Sequence, residues 1–293
     1  MPDSYAHYRF GKQVLEQLPE QIRGVILSER ELYDIGLHGP DILFFYRPLG
    51  RNFVRALGGE MHAASGKRFF SGAAKTLLAH GVAAPDLAYL YGFLCHFALD
   101  STCHGYINTL HASGAATHEE IESSFDRKLL LMDGLHPVRT NRAGHLQATR
   151  RNASVIAPYY DRLRPGTIRE AIRGMVLVSR LFAPASARER RVTESLMKKA
   201  GKYESLHGHI VTDRPNPRCA ESDRELMKLY EEAIPLAVSL ISGFSDCAGG
   251  RTPWPDRYLY NFEGDLRETD CTGNGAFPKA ACTGAPRPER REI

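Results

Sequence analysis

At 293 residues, with 43% hydrophobic and 25% charged side chains, the chain has enough material for one large domain or two small ones and the composition of an ordinary soluble globular protein. A formal charge of +4 is mild, and the densest basic stretch, Arg188–Arg191, reads as a solvated helix face rather than a nucleic-acid patch. Asp3, Lys12, Glu16, Glu20, Arg23, Glu29 and Arg30 exclude a secretory core from the first thirty residues, and the longest apolar stretch, Leu87–Leu99, is too short and, with His96 in it, too polar to span a bilayer.

Helical signals dominate in chain order. Ser4 caps a first helix to about Leu18, which Pro19 ends. A second is expected over Glu20–Asp34, before GLHGPD breaks the chain. Arg51–Ala64 and Lys67–His80 follow, Gly81 stopping the latter. Pro85 sits at the start of a long helix to about Leu110. Thr117 and Glu120 form a capping-box pattern that opens another. Later helices are expected at Ala153–Arg162, Ile168–Phe182, Ala187–Lys199 and Glu221–Phe244. No alternating β pattern and no repeat of 20–50 residues occurs. From about Ala248 the composition shifts to Gly, Pro, Thr and charge. Trp254–Leu266 holds enough aromatics to dock on the body, and Thr269–Ile293 has no apolar periodicity and reads as a mobile tail. The expectation is one all-α domain over 1–247, with an irregular and partly disordered extension over 248–293.

On the long helix His96, Asp100 and His104 recur every four residues, and four residues drift only about 40° around a helix, so all three share one face. Beyond it, His118 and Glu122 repeat the spacing behind the capping box. Two antiparallel helices with such faces converge five imidazole and carboxylate ligands on one buried point, a set suited to zinc or manganese. Three further candidates precede them: His7 in SYAHYRFG, Asp41 at the Gly39-Pro40 turn, and His62 after Gly58-Gly59. His38, His80, His111, His136 and His145 have no partner at ligand spacing, and His207-Gly208-His209 reads as an incidental loop pair. The six cysteines form no CxxC pair and no dense framework, so reduced thiols in the cytoplasm are the expectation.

The order His7, Asp41, His62, His96, Asp100, His104, His118, Glu122, within MPDSYAHYRFG, GLHGPDILFFY, the His96-x3-Asp100-x3-His104 run and the His118-x3-Glu122 pair, resembles the zinc-dependent phospholipase C family. The closest likeness is to its cytoplasmic, leaderless bacterial branch, and the resemblance covers roughly residues 1–130. It implies a multi-helix bundle, shared with the trinuclear-zinc single-strand nucleases, around a buried multinuclear metal site. It also implies two or three zinc ions per chain. Asp41, His62, His96 and Asp100 would hold one, and His104, His118 and Glu122 a second. A third would be shared by Asp100, His7 and an amine freed at Pro2 by loss of Met1; this arrangement departs from the secreted members and is closer to the nucleases.

The implied reaction is attack of a metal-bound hydroxide on the phosphorus of a phospholipid or similar phosphodiester, with Asp41 orienting or deprotonating the water. Peripheral membrane contact fits such a substrate. Phe44, Phe45, Tyr46, Phe69 and Phe70 suit a lipid-facing rim or, equally, a buried core, and Tyr5, Tyr8 and Tyr46 are candidates for a choline cage. A nuclease or nucleotide phosphatase is the alternative, but Arg47 is the only fixed cation between Tyr33 and Gly50, so nucleic acid is not favoured. A non-catalytic, metal-stabilised binding protein is the reading from another class. The small-residue segment Ala112–Thr117 between the ligand helices suits a gate. Oligomeric state has no signature.

Overall fold

The computed structural model describes residues 4–183, 186–199, 201, 203 and 210–267; Pro2, the His207–His209 pair and the expected tail from Thr269 lie outside the described residues. The described residues form helices α1 (Ser4–Gln17), α2 (Glu20–Ser28), α3 (Arg30–Gly36), α4 (Phe53–Ala63), α5 (Gly66–His80), α6 (Ala84–Ala112), α7 (His118–Met132), α8 (Arg150–Ile156), α9 (Pro165–Leu181), α10 (Ala187–Lys199) and α11 (Ser222–Ala248). No strand occurs among them, and the all-α bundle is the fold of this chain.

Helix α6 is the axis of the molecule. Every residue from Ala88 to Ser101 is buried, so this helix is apolar almost all round and must be enclosed by others. Helices α3 and α11 make the broadest contacts with it, and α1, α2 and α7 also pack on it. The α3–α6 crossing needs two glycines. A Cβ on Gly36 would lie 2.2 Å from the Tyr89 carbonyl oxygen, and one on Gly92 would lie 2.2 Å from the Tyr33 carbonyl oxygen. Around α6 the core is aromatic, with Tyr89, Phe93, Phe97, Phe70, Phe244 and Tyr258 fully buried.

The capping box forms as the sequence predicts: Thr117 Oγ1 accepts the Glu120 N–H, and Glu120 accepts the Thr117 N–H. Two helices differ from expectation. The helix expected over Glu20–Asp34 breaks at Glu29 (φ −132°, ψ 41°), where Ser28 Oγ donates back to the Val25 carbonyl and competes with the helical ladder. The helix expected from Ala153 starts earlier, because Thr149 caps Arg150–Ile156, and Pro158 turns the continuation into a 3-10 turn over Ala157–Tyr159. Of the five aromatics suited to rim or core, Phe69 and Phe70 are buried, while Phe44, Phe45 and Tyr46 are half-buried.

After α11 the chain returns to α6 and α5 as a strap over residues 253–267. Its 3-10 turn (Asp256–Leu259) packs on α5, and backbone bridges pair Ser65 with Asn261 and Tyr260 with Leu266.

Candidate metal centre

Helix α6 carries three of the eight candidate residues on one face, as helical spacing requires: His96, Asp100 and His104, each fully buried. Asp41 comes from the 3-10 turn Gly39–Phe45 that follows α3. Gly39 enables the approach: its φ is +44°, and a Cβ there would lie 2.3 Å from the His96 ring. His62 lies in the last turn of α4, and His118 and Glu122 in the first turns of α7.

The donor atoms gather in two groups, each within 4.8 Å: Asp41, His62, His96 and Asp100 in one, His104, His118 and Glu122 in the other. In the first, His62 Nε2 is 2.9 Å from Asp41 Oδ1 and His96 Nε2 is 3.0 Å from Asp100 Oδ2. In the second, Glu122 Oε1 is 2.8 Å from His118 Nε2 and 3.6 Å from His104 Nε2. His7 belongs to neither group but stands beside Asp100. Its Nε2 is 3.2 Å from Asp100 Oδ1, the oxygen that His96 does not meet, and its ring stacks on His96 at 4.4 Å. Asp100 therefore sits between His7, the first group and His104, whose Nδ1 is 3.9 Å from Oδ2.

Backbone carbonyls set two of the tautomers. His62 Nδ1 donates to the Gly58 carbonyl and His104 Nδ1 to the Phe262 carbonyl, both at 2.7 Å, which leaves each Nε2 as a lone-pair donor toward its group. Burial would raise the Asp100 carboxyl, yet His96, His104 and His7 around it hold it well below the usual carboxylate range. Burial, and then the neighbouring His96, pushes His7 down, so its imidazole is neutral and able to ligate.

These residues fit zinc. His7 Nε2, Asp41 Oδ1, His62 Nε2, His96 Nε2, both Asp100 oxygens and His104 Nε2 are buried without a hydrogen bond of acceptable geometry, though they lie close together. Orphaned buried polar atoms cost about 1–3 kcal/mol each unless another partner takes them, and a cation answers this convergence of nitrogen and carboxylate lone pairs. Imidazole and carboxylate without thiolate is a set that zinc accepts. His118, at 24% side-chain exposure, is the most open member and marks the solvent side.

Several contributors escape sequence reasoning. Asp126, one turn beyond Glu122, accepts the N–H groups of Tyr5 (3.1 Å) and Ala6 (2.8 Å) and so fixes the start of α1, and with it His7. Its four-residue interval from Glu122 was the available signal. Arg142 stands 3.4 Å from the same carboxylate. His38 and His145 are not isolated: their Nε2 atoms are 2.9 Å apart, Tyr8 stacks on His145 at 3.9 Å, and His38 lies beside His7 with ring centroids 6.3 Å apart. Burial lowers both imidazoles, His145 to about 3, so the pair is a neutral donor–acceptor contact. Tyr5, a cage candidate, is buried and gives its hydroxyl to Asp133 at 2.5 Å, so it braces α1 against α7.

No helix among the described residues is long and apolar enough to cross a membrane. Neither the curated proteins nor the solved structures contain a match to this sequence. The family described as zinc dependent phospholipase C matches residues 6–173, more than half of the chain and the stretch that holds all eight candidate residues. The buried donor groups and that match agree, and the chain belongs to the zinc-dependent phospholipase C family.

Proposed function

We propose that this chain is a zinc-dependent phosphodiester hydrolase that cleaves a phospholipid, or a phosphodiester of similar size, at the phosphorus. One observation carries the reading: buried nitrogen and carboxylate donors gather in two groups around helix α6, and among them Asp41 Oδ1, His62 Nε2, His96 Nε2, both Asp100 oxygens and His104 Nε2 have no hydrogen bond of acceptable geometry. Asp41, His62, His96 and Asp100 would hold one zinc, and His104, His118 and Glu122 a second. His7 beside Asp100 Oδ1 supports a third. When bound, zinc supplies a Lewis acid that brings the pKa of water down to about 7 and positive charge that stabilises a phosphoryl transition state.

The chain's own residues do the rest. The Gly58 and Phe262 carbonyls keep His62 and His104 in the ligating tautomer. Asp41 Oδ1 is the base that orients the attacking water and holds its proton. The aromatic edge formed by half-buried Phe44, Phe45 and Tyr46 begins three residues after Asp41 and suits an acyl-bearing substrate. Substrate would enter past His118, since the other members are nearly closed to solvent. For an enzyme acting inside the cell, such restricted entry would keep bulk membrane lipid from being consumed. Membrane contact would be peripheral.

The test is metal analysis by plasma mass spectrometry on protein purified without chelator, beside release of diacylglycerol from dispersed phospholipid. Wild type is expected to carry two or three zincs, Asp100→Ala and His118→Ala fewer, and Asp41→Asn to lose turnover by at least about a hundredfold. Protein without metal, or variants with the wild-type content, would sink the assignment. Turnover of single-stranded DNA in place of lipid would move the substrate class to nucleic acid.

A further inference from the structure

Both donor groups lean on one residue far along the chain. Phe262 is fully buried, and its ring lies against His62 and His96 of the first group, with centroids 5.5 and 5.7 Å away. Its N–H donates to the His62 carbonyl at 3.2 Å, and its own carbonyl takes the Nδ1–H of His104 of the second group at 2.7 Å. A single residue thus touches one histidine chain by ring and backbone, a second by ring, and a third by hydrogen bond.

The strap that presents Phe262 is itself tied down on the ligand-bearing elements. The Gly66 N–H donates to the Tyr260 carbonyl at 2.8 Å, four residues past His62. Arg257 Nη2 donates to Ser101 Oγ and Thr102 Oγ1, between Asp100 and His104. Asn108 Nδ2, one turn beyond His104, donates to Glu263 Oε2 at 2.8 Å. Asn261 Oδ1 accepts the Asp265 N–H at 2.7 Å and closes the turn. Gly264 completes it at φ +84°, and a Cβ there would meet the Ser101 carbonyl oxygen at 3.2 Å and the Gly105 nitrogen at 3.3 Å.

We propose that Phe262 is a positioning residue for the metal centre, and that the strap over residues 253–267 clamps the two donor groups in a fixed relation by orienting His62, His96 and His104. This inference rests on the zinc reading above. The strap lies beyond residue 173, where the family match ends, so that match assigns it no role. Packing alone needs only the ring. The 2.7 Å carbonyl contact to His104 adds direction, because it decides which imidazole nitrogen can face a cation.

The test uses full-length protein with three substitutions. Gly264→Ala presses the strap off α6 without touching a ligand, Phe262→Leu keeps an apolar core but withdraws the ring, and Leu266→Ala alters a half-exposed strap residue as a control. Zinc affinity is read by competition with a chromophoric chelator, ligand geometry by the visible absorption of the cobalt-substituted protein, and folding by the melting midpoint of the metal-free protein. Gly264→Ala and Phe262→Leu are expected to weaken zinc about ten- to a hundredfold and to shift the cobalt bands, with Leu266→Ala like wild type. If Gly264→Ala does not fold, Phe262→Leu decides alone. A lower melting midpoint with zinc affinity within about twofold and unmoved cobalt bands would leave Phe262 as core filling and overturn the proposal. Wild-type behaviour in both variants overturns it equally. Failure of wild type itself to bind zinc removes the metal reading as well, so the two failures are told apart by the parent protein.

Discussion

Substitution of Gly92 by alanine tests how the fold sets the metal centre. The new Cβ would lie 2.2 Å from the Tyr33 carbonyl oxygen and 2.9 Å from Gly36 Cα, and real Cβ contacts essentially never fall under 3.0 Å. Helices α3 and α6 must therefore part by about 0.8 Å, and no side-chain rotation relieves backbone against backbone. The Tyr33 carbonyl also accepts the Leu37 N–H, so the strain enters the turn that leads to Asp41, while His96 lies one turn beyond Gly92 on α6. Overpacking of this kind costs about 1–3 kcal/mol, and the backbone contact argues for the upper end. For a chain of 293 residues, with an unfolding entropy of about 0.6 kcal/mol/K, a cost near the upper end lowers the melting midpoint by about 5 °C. A shift approaching 1 Å between Asp41 and His96 is also enough to cost up to about a hundredfold in turnover. Thermal melting beside metal analysis and diacylglycerol release reads all three. A Gly92→Ala protein melting within about 2 °C of wild type with full zinc and full activity would refute the claim that this crossing positions the site.

Three further outcomes follow from contacts elsewhere. Asp126→Ala strips the acceptor from the Tyr5 and Ala6 N–H groups and breaks the buried pair with Arg142, so about 3–5 kcal/mol of stability should go in chemical denaturation, with His7 released from the site; a loss under about 1 kcal/mol would contradict it. Exhaustive chelation should lower the melting midpoint and added zinc restore it, by about 2.7 kcal/mol at a hundredfold excess over the dissociation constant, whereas coincident melting curves would mean that the donor groups hold nothing. At Asp133 burial works against the carboxylate, but the Tyr5 hydroxyl and Arg9 outweigh it and hold the group below its ordinary 3.8. That stabilisation is complete above 3.8 and is lost as pH falls through the lower folded-state value, so Asp133→Asn should flatten the acid limb of the stability profile below about pH 4; an unchanged limb argues against the clamp between α1 and α7.

The donor groups were partly legible because five of their members are chemically distinctive side chains at helical spacing: His96, Asp100 and His104 on α6, His118 and Glu122 behind a capping box. Their mutual approach was legible only as an order of motifs, since Asp41 and His62 come from separate elements. The carbonyls of Gly58 and Phe262 left no trace, because every residue has a carbonyl and its direction comes from tertiary packing. The His38–His145 contact spans 107 positions, with no periodicity to announce it. Gly36 and Gly92 are visible in sequence, but nothing local says that they face each other. The break at Glu29 went unseen because the stretch contains neither proline nor a well-placed glycine, and a serine hydroxyl turned onto the backbone decides it.

The hydrogen bond from His104 to the Phe262 carbonyl has a consequence in time. All candidate ligands have been synthesised once Glu122 has been made, yet the acceptor that would orient His104 is added some 140 residues later. At about 5–20 residues per second, roughly 7–28 s of synthesis separate the two. Throughout that interval the nascent chain displays imidazoles and carboxylates with no strap across them, free to take whichever divalent ion is most abundant or binds most strongly. On the zinc reading proposed above, the metal held by the finished protein would therefore depend on exchange after the strap has docked as well as on the donor set itself.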